Sequence, residues 1–216
     1  MLAIINFKAY NTSTGINAIR LAKICEKVAK KYHANIAVAV QPADILAVAG
    51  HVDIPVLAQH VDAIEFGAKT GWILPESVQQ MGAVGSLINH SEHQIPLSQI
   101  KQTIDRLRKL GMLSVCCADT PATAVKIAKF RPDIIAIEPP ELIGGNIAVS
   151  QAKPQVITQT THRIRGIPIL CGAGVKTKDD AKKAVQLGAK GILVASGVTN
   201  APNPEKALTQ LVRGLV

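Results

Sequence analysis

Short apolar, β-branched runs recur along the chain at Ala3–Phe7, Asn35–Val40, Pro55–Gln59, Val84–Asn89, Leu113–Cys117, Ile134–Glu138, Ile167–Cys171 and Gly191–Ala195. They are too short for helices and apolar at nearly every position, the pattern of strands buried on both faces. The stretches between them carry the helical period. Ile16–Tyr32 places Ile16, Ile19, Ala22, Ile24, Val28 and Ala29 near one face, with Arg20, Lys23, Lys27, Lys30 and Lys31 mostly on the other. Ser98–Leu110, Asp179–Leu187 and Glu205–Leu215 read the same way. Thr120-Pro121, Thr177 and Asn203-Pro204 are N-terminal capping signatures, and Gly111 and Gly188 sit where C-caps belong. Strands alternating with helices predict a parallel sheet. Eight such runs in 216 residues, one βα unit per about 27 residues, predict a closed (β/α)8 barrel over an open sheet. No linker or composition break divides the chain, so residues 1–216 are expected to form a single α/β domain with short loops. In such a barrel, catalytic groups stand at the C-terminal ends of strands, and phosphate binds near the loops after strands seven and eight.

Composition narrows the functional classes. A hydrophobic share of 48% is enough for a core, which excludes a disordered chain. Four cysteines are too sparse for a disulfide scaffold. No apolar run is long enough to span a bilayer, and the start, MLAIINFKAY, lacks the basic flank and small-residue cleavage site of a signal peptide. The expectation is a cytoplasmic protein with reduced thiols and no membrane partner. The balance of 24 basic against 15 acidic residues, +9, points to an anionic partner: nucleic acid, a membrane surface or a small phosphate ester. Only 3% of residues are aromatic, and no strictly basic run exceeds two residues, both of which weigh against nucleic acid.

The strand ends carry the chemistry. The first run ends in Asn6-Phe7-Lys8, where Lys8 is either a surface lysine or a fixed cation at the barrel mouth. The fourth ends in Asn89-His90-Ser91-Glu92-His93. His90 and His93 are a weak metal pair without a second cluster. A neutral His90 donating to a substrate oxygen fits equally, its pKa depressed if a helical turn begins at Ser91. The sixth run closes on Glu138, followed by Pro139-Pro140-Glu141-Leu142-Ile143-Gly144-Gly145-Asn146. A carboxylate ending a buried strand is partly desolvated and suits a general base, while a salt-bridged structural Glu is the alternative. The loop after it is stiff, then apolar, then flexible, the build of a lid that excludes water. Cys171-Gly172-Ala173-Gly174 and Ala195-Ser196-Gly197 end the last two runs with small residues that leave backbone amides open to an anion. Cys116-Cys117 reads as one buried thiol and one lining the barrel, and Cys25 and Cys171 as core.

This constellation resembles the triosephosphate isomerase family. Asn6-Phe7-Lys8, His90-Ser91-Glu92, the Glu138-Pro139 loop ending in Ile143-Gly144, and Gly172-Ala173-Gly174-Val175 match its motifs in order from the first strand to the eighth. The short length, Asn-Phe-Lys, Asn-His-Ser-Glu and Pro-Pro-Glu-Leu-Ile-Gly are similar to its compact archaeal-type branch. The resemblance implies a TIM barrel that interconverts dihydroxyacetone phosphate and D-glyceraldehyde 3-phosphate through an enediolate, a step of glycolysis and gluconeogenesis. It implies Glu138 as base, His90 as neutral electrophile, Lys8 as stabiliser of the enediolate charge and Asn6 as its positioner. Phe7, Ile143, Gly144, Gly174, Ala195 and Ser196 would meet the substrate, and Glu92 would stand behind the reacting groups. No metal and no organic cofactor are implied. Gly67 to Gly71 resembles the family's third loop, with Thr70 and Gly71 reaching a neighbouring subunit of a homodimer or homotetramer. Two positions depart from the pattern: Gly145-Asn146 replaces a Thr-Gly lid end, and His93-Gln94 stands where an Arg is common. Another phosphate-gripping barrel isomerase or synthase is the enzymatic alternative, and it would not need Lys8, His90 and Glu138 together.

Overall fold

The computed structural model describes residues 1–139 and 152–215. Eight parallel strands, β1 (Leu2–Asn6), β2 (Asn35–Val40), β3 (Val56–Ala58), β4 (Gly85–Ile88), β5 (Leu113–Ala118), β6 (Ile134–Ile137), β7 (Ile169–Cys171) and β8 (Gly191–Val194), form a closed barrel in chain order. The helices outside it include α1 (Ile16–Tyr32), α2 (Ile45–Ala49), α3 (Pro75–Gln80), α4 (Leu97–Lys109) and α5 (Pro121–Ala128). They continue with α6 (Pro154–Arg163), α7 (Lys178–Gln186), α8 (Ser196–Thr199) and α9 (Pro204–Leu215). The alternation expected from the hydrophobic pattern is therefore the architecture, with element ends displaced by one or two residues. Pro55 and Pro168 fall outside the strands predicted to contain them because proline has no N–H for the ladder. Their carbonyls still accept from Val38 and Ile135.

Alternation along each strand sorts two hydrophobic layers. The barrel interior holds Ile4, Ala37, Ala39, Leu57, Leu87, Val115, Cys117, Ala136, Leu170 and Leu193, with every strand contributing. The intervening residues, such as Ala3, Ile5, Ile36, Val38, Cys116, Ile135 and Ile192, face the helices. The vicinal pair thus splits as expected, Cys117 inside and Cys116 outside, both buried.

The buried stripe of α1 differs from the sequence-based face. It runs Ala18, Leu21, Ala22, Cys25, Val28, Ala29, while Ile16 is 61% exposed. A residue at the first helical position lies beyond the end of the strand layer, so hydrophobicity alone does not bury it. Cys25 is fully buried, and desolvation pushes its thiol up to about 12, which leaves it inert.

The capping signals are realised. Thr177 accepts from the Asp180 amide while the Asp180 carboxylate accepts from the Thr177 amide, a reciprocal capping box on α7. Thr120 and Asn203 accept from the amides of Thr123 and Lys206. Thr177→Ala removes one half of the box that orients the helix following the seventh strand. It is expected to cost about 1 kcal/mol of unfolding free energy, measured by urea denaturation. An unchanged midpoint would show that the cap is not needed there.

Candidate active site

A cavity at the C-terminal mouth of the barrel is lined by Asn6, Lys8, His90, Glu138, Gly172, Gly174 and Ala195 through Gly197. The inward parity of β1 runs Leu2, Ile4, Asn6 and then Lys8. Asn6 is buried, and its Oδ1 accepts from the Lys8 amide at 3.0 Å. Lys8 has φ of +50°, a conformation seldom adopted outside glycine. The Asn6 side chain holds that turn from one side, and Gln59 Nε2 donates to the Lys8 carbonyl at 3.1 Å from the other. The Lys8 side chain is only 10% exposed, and its ammonium pairs with Glu92 Oε1 at 2.6 Å. The carboxylate of Glu92 is half in solvent, so it neutralises the cation from outside the cavity.

Simple alternation from Leu87 would turn His90 away from the barrel. Asn89 prevents this with φ of +61°, a conformation asparagine tolerates better than most residues. Its side chain donates to the Cys117 carbonyl at 3.0 Å and accepts from the Ile95 amide at 2.9 Å, locking the kink. His90 then lines the mouth. The Glu92 amide donates to its Nδ1 at 3.2 Å, which assigns the remaining proton of a neutral ring to Nε2. Nε2 lies 3.8 Å from Glu138 Oε1. Burial first, then the Lys8 charge, lower the imidazole pKa to about 4. Residues 91–93 make a turn closed by His93 N–H to the His90 carbonyl, and the next helix starts only at Leu97. The expected helical turn is therefore absent; burial and the Lys8 charge lower the pKa without it, against the opposing Glu92 carboxylate. His93 stacks on His60 with ring centroids 4.2 Å apart, so it does not join His90 around a common point.

Glu138 follows β6 on its inward parity and is 4% exposed. Its amide donates to the Ala118 carbonyl at 2.8 Å, extending the β5–β6 ladder by one residue. Desolvation raises its carboxyl pKa to about 7. The Cys117 thiol, as a hydrogen-bond donor, and the Lys8 charge oppose that rise. Oε2 is buried and has no hydrogen-bond partner among the described residues, so its lone pairs are not taken up by a donor there. Among the described residues no lysine or arginine forms a salt bridge with this carboxyl; beside the Cys117 thiol, its near titratable neighbour is the neutral His90.

The far side of the cavity is backbone. Gly174 has φ of +70°, which a side chain would strain. In α8 the first intrahelical donors are Val198 and Thr199, both to the Ala195 carbonyl. The amides of Ser196 and Gly197 precede them and are available to an anion. The Lys8 ammonium, the His90 imidazole and these amides form an electropositive wall facing one carboxylate. That arrangement suits proton transfer on a small anionic substrate.

Of the residues expected to meet substrate, Asn6, Lys8, His90, Glu138, Gly174, Ala195 and Ser196 line this cavity. Phe7 does not: outward parity buries it completely between barrel and helices. Ile143 and Gly144, with the rest of the lid from Pro140 to Asn146, lie outside the described residues. Thr70 and Gly71 are exposed in the loop between β3 and α3, beside Phe66 at 71% and Trp72 at 55% exposure. Sequence reasoning overlooked Lys176 and Gln59, and left open which of Cys116 and Cys117 lines the barrel. Lys176 lines the cavity two residues past Gly174 and was detectable as the first cation after that motif. Cys117 needed the inward parity of β5, and Gln59 needed the β2–β3 register. Among the described residues, no group of three or more His, Cys, Asp or Glu is placed to hold a metal ion.

Residues 1–214 match the family model described as triosephosphate isomerase. A triosephosphate isomerase of Methanobacterium bryantii is 48% identical over 215 residues, covering 98% of this chain and 95% of that protein. One from Methanothermus fervidus is 44% identical, covering 98% and 97%. Among solved structures, triosephosphate isomerase from Bartonella henselae aligns with a TM-score of 0.73 over 90% of this chain and 91% of that one. Its identity is 16%, so this likeness speaks to the fold.

The His90 environment makes a spectroscopic prediction. With its pKa near 4, the imidazole stays neutral between about pH 5.5 and 8, where an ordinary histidine changes charge. Ring 15N shifts should show one protonated and one bare nitrogen throughout that range. A midpoint near that of free histidine would overturn the assignment.

Proposed function

The chain belongs to the triosephosphate isomerase family and interconverts dihydroxyacetone phosphate and D-glyceraldehyde 3-phosphate; we propose that Glu138, His90 and Lys8 divide that chemistry among them. The carrying observation is one buried carboxylate with an unpartnered oxygen, 3.8 Å from a neutral imidazole. Glu138 takes the proton from the carbon beside the carbonyl and returns it to the neighbouring carbon. Its raised pKa matches the proton affinity of a base that must also give the proton back. His90 presents its Nε2 proton to the substrate oxygen as charge develops there. A neutral donor suits this, because an imidazolium would surrender its proton to the carboxylate close by. Lys8 supplies fixed positive charge for the enediolate, and Asn6 holds the turn that aims it. These roles are those known for the family. The amides around Gly174, Ala195 and Ser196 are proposed to hold the phosphate. The segment ending in Ile143-Gly144 is proposed to cover the intermediate, which would otherwise lose phosphate to water.

The wider setting is also part of this proposal. The chain is read as one domain, acting in the cytoplasm in glycolysis and gluconeogenesis. No helix of the described residues is long and apolar enough to cross a membrane. Exposed Phe66 and Trp72 flank Thr70-Gly71, and covering them supports a homodimer or homotetramer. Light scattering distinguishes the two.

Two measurements test the roles. In a coupled isomerase assay, Glu138→Gln should lose at least about 100-fold in kcat, and Lys8→Ala should lose about 100-fold or more in kcat/KM. Turnover comparable to wild type in either variant would sink the corresponding role. Because the active form of Glu138 is the carboxylate, kcat/KM should fall as pH drops through about 7 and level off above it. The substrate phosphate titration, followed by 31P resonance, is subtracted first. A profile flat through neutrality after that correction would contradict the raised pKa.

A further inference from the structure

Gly172 is the lateral neighbour of Glu138. The β6–β7 register sets Ile137 opposite Cys171, so residues 138 and 172 follow side by side on the inward-facing parity. The Gly172 amide donates to the Ile137 carbonyl at 3.0 Å, which holds the two chains together at this level. A Cβ built on Gly172 would overlap Glu138 Cγ and come 3.0 Å from both Cδ and Oε1. The backbone gives no reason for glycine here, since the φ of Gly172 lies outside the left-handed region where glycine is favoured.

Two other barrel glycines behave differently. A Cβ on Gly85 would strike the Leu113 carbonyl, and one on Gly191 the Leu2 carbonyl. Those positions are closed by main chain and serve the barrel itself. At Gly172 the three nearest atoms all belong to the Glu138 side chain. That side chain has no free retreat, because it is 4% exposed and has the buried Cys117 thiol beside it.

We propose that Gly172 is a positioning residue for the base: the missing side chain at 172 is the slot that seats the Glu138 carboxyl beside His90 Nε2. This rests on Glu138 being the base. A methyl group at 172 pushes the carboxyl away from the position that holds Oε1 near His90, while the amides of Ser196 and Gly197 at the start of α8 are untouched. Misplacement of a reacting group by about 1 Å costs on the order of 100-fold in rate.

The test is a double-mutant cycle with Gly172→Ala and Glu138→Ala. Gly172→Ala alone should lower kcat about 100-fold, with KM and the inhibition constant of inorganic phosphate changed less than about threefold. In the Glu138→Ala background, where Cγ is gone, adding Gly172→Ala should leave the residual turnover unchanged within about twofold. Stability gives a second readout should Gly172→Ala fold poorly. The double variant should then melt higher than Gly172→Ala, because the methyl enters space vacated by Glu138. A Gly172→Ala enzyme with near wild-type kcat overturns the proposal. So does a kcat or melting penalty of equal size in both backgrounds, which would make 172 a purely structural glycine. Wild-type turnover in Glu138→Ala would instead overturn the assignment of the base.

Discussion

The barrel closes where β8 meets β1, with Leu2 through Ile5 opposite Gly191 through Val194. Every feature of the mouth depends on that closure. A closed ring leaves no edge and no freedom to slip, so inward and outward parity are set for all eight strands together. Gly191 shows how tight the seam is, since any side chain there would collide with the Leu2 carbonyl. A slip of one residue at this seam would turn Asn6 and Lys8 toward the helices and Phe7 into the mouth.

Closure also creates the electrostatic conditions of the site. The interior below the mouth is aliphatic from Ile4 around to Leu193 apart from Cys117, whose thiol is its hydrogen-bond donor to Glu138. Glu138 therefore sits on a poorly polarisable floor and gains proton affinity, while His90 in the same surroundings loses it. One environment pushes an acid and a base in opposite senses, so that at neutral pH the carboxyl titrates and the imidazole does not. The Lys8 charge moderates the first shift and reinforces the second. The +9 of the chain contributes little to this, because most of its cations are solvated on helix faces, whereas the Lys8 side chain is 10% exposed beside His90 and Glu138.

Two of the four non-glycine residues with positive φ among the described residues stand at the mouth. Lys8 and Asn89 both adopt positive φ, one on β1's exit and the other on β4's. Each is held by a buried asparagine side chain: Asn6 for the first, Asn89 itself for the second. The strain re-aims a chain that would otherwise continue its strand, which brings Lys8 and His90 over the same cavity as Glu138. Replacing either asparagine removes the bonds that make the turn tolerable.

Periodicity, caps and the residue types at strand ends were enough to place the eight βα units and to single out Lys8, His90 and Glu138, because these are local properties of the chain. The same local reasoning misplaced the buried stripe of α1, and the family resemblance set Phe7 among the residues meeting substrate, where the structure buries it outside the barrel. Both errors concern which way a side chain faces, and a strand's facing is settled by ring closure, not by its own residues. The meeting of Glu138 with the Cys117 thiol likewise depends on strand register. So does Gly172, which in the sequence is one small residue among several and becomes the neighbour of Glu138 only through the β6–β7 register. Composition and spacing decided which residue types stand at the strand ends; lateral pairing between strands distant in sequence decided their distances and proton affinities, since burial and Coulomb terms act through space.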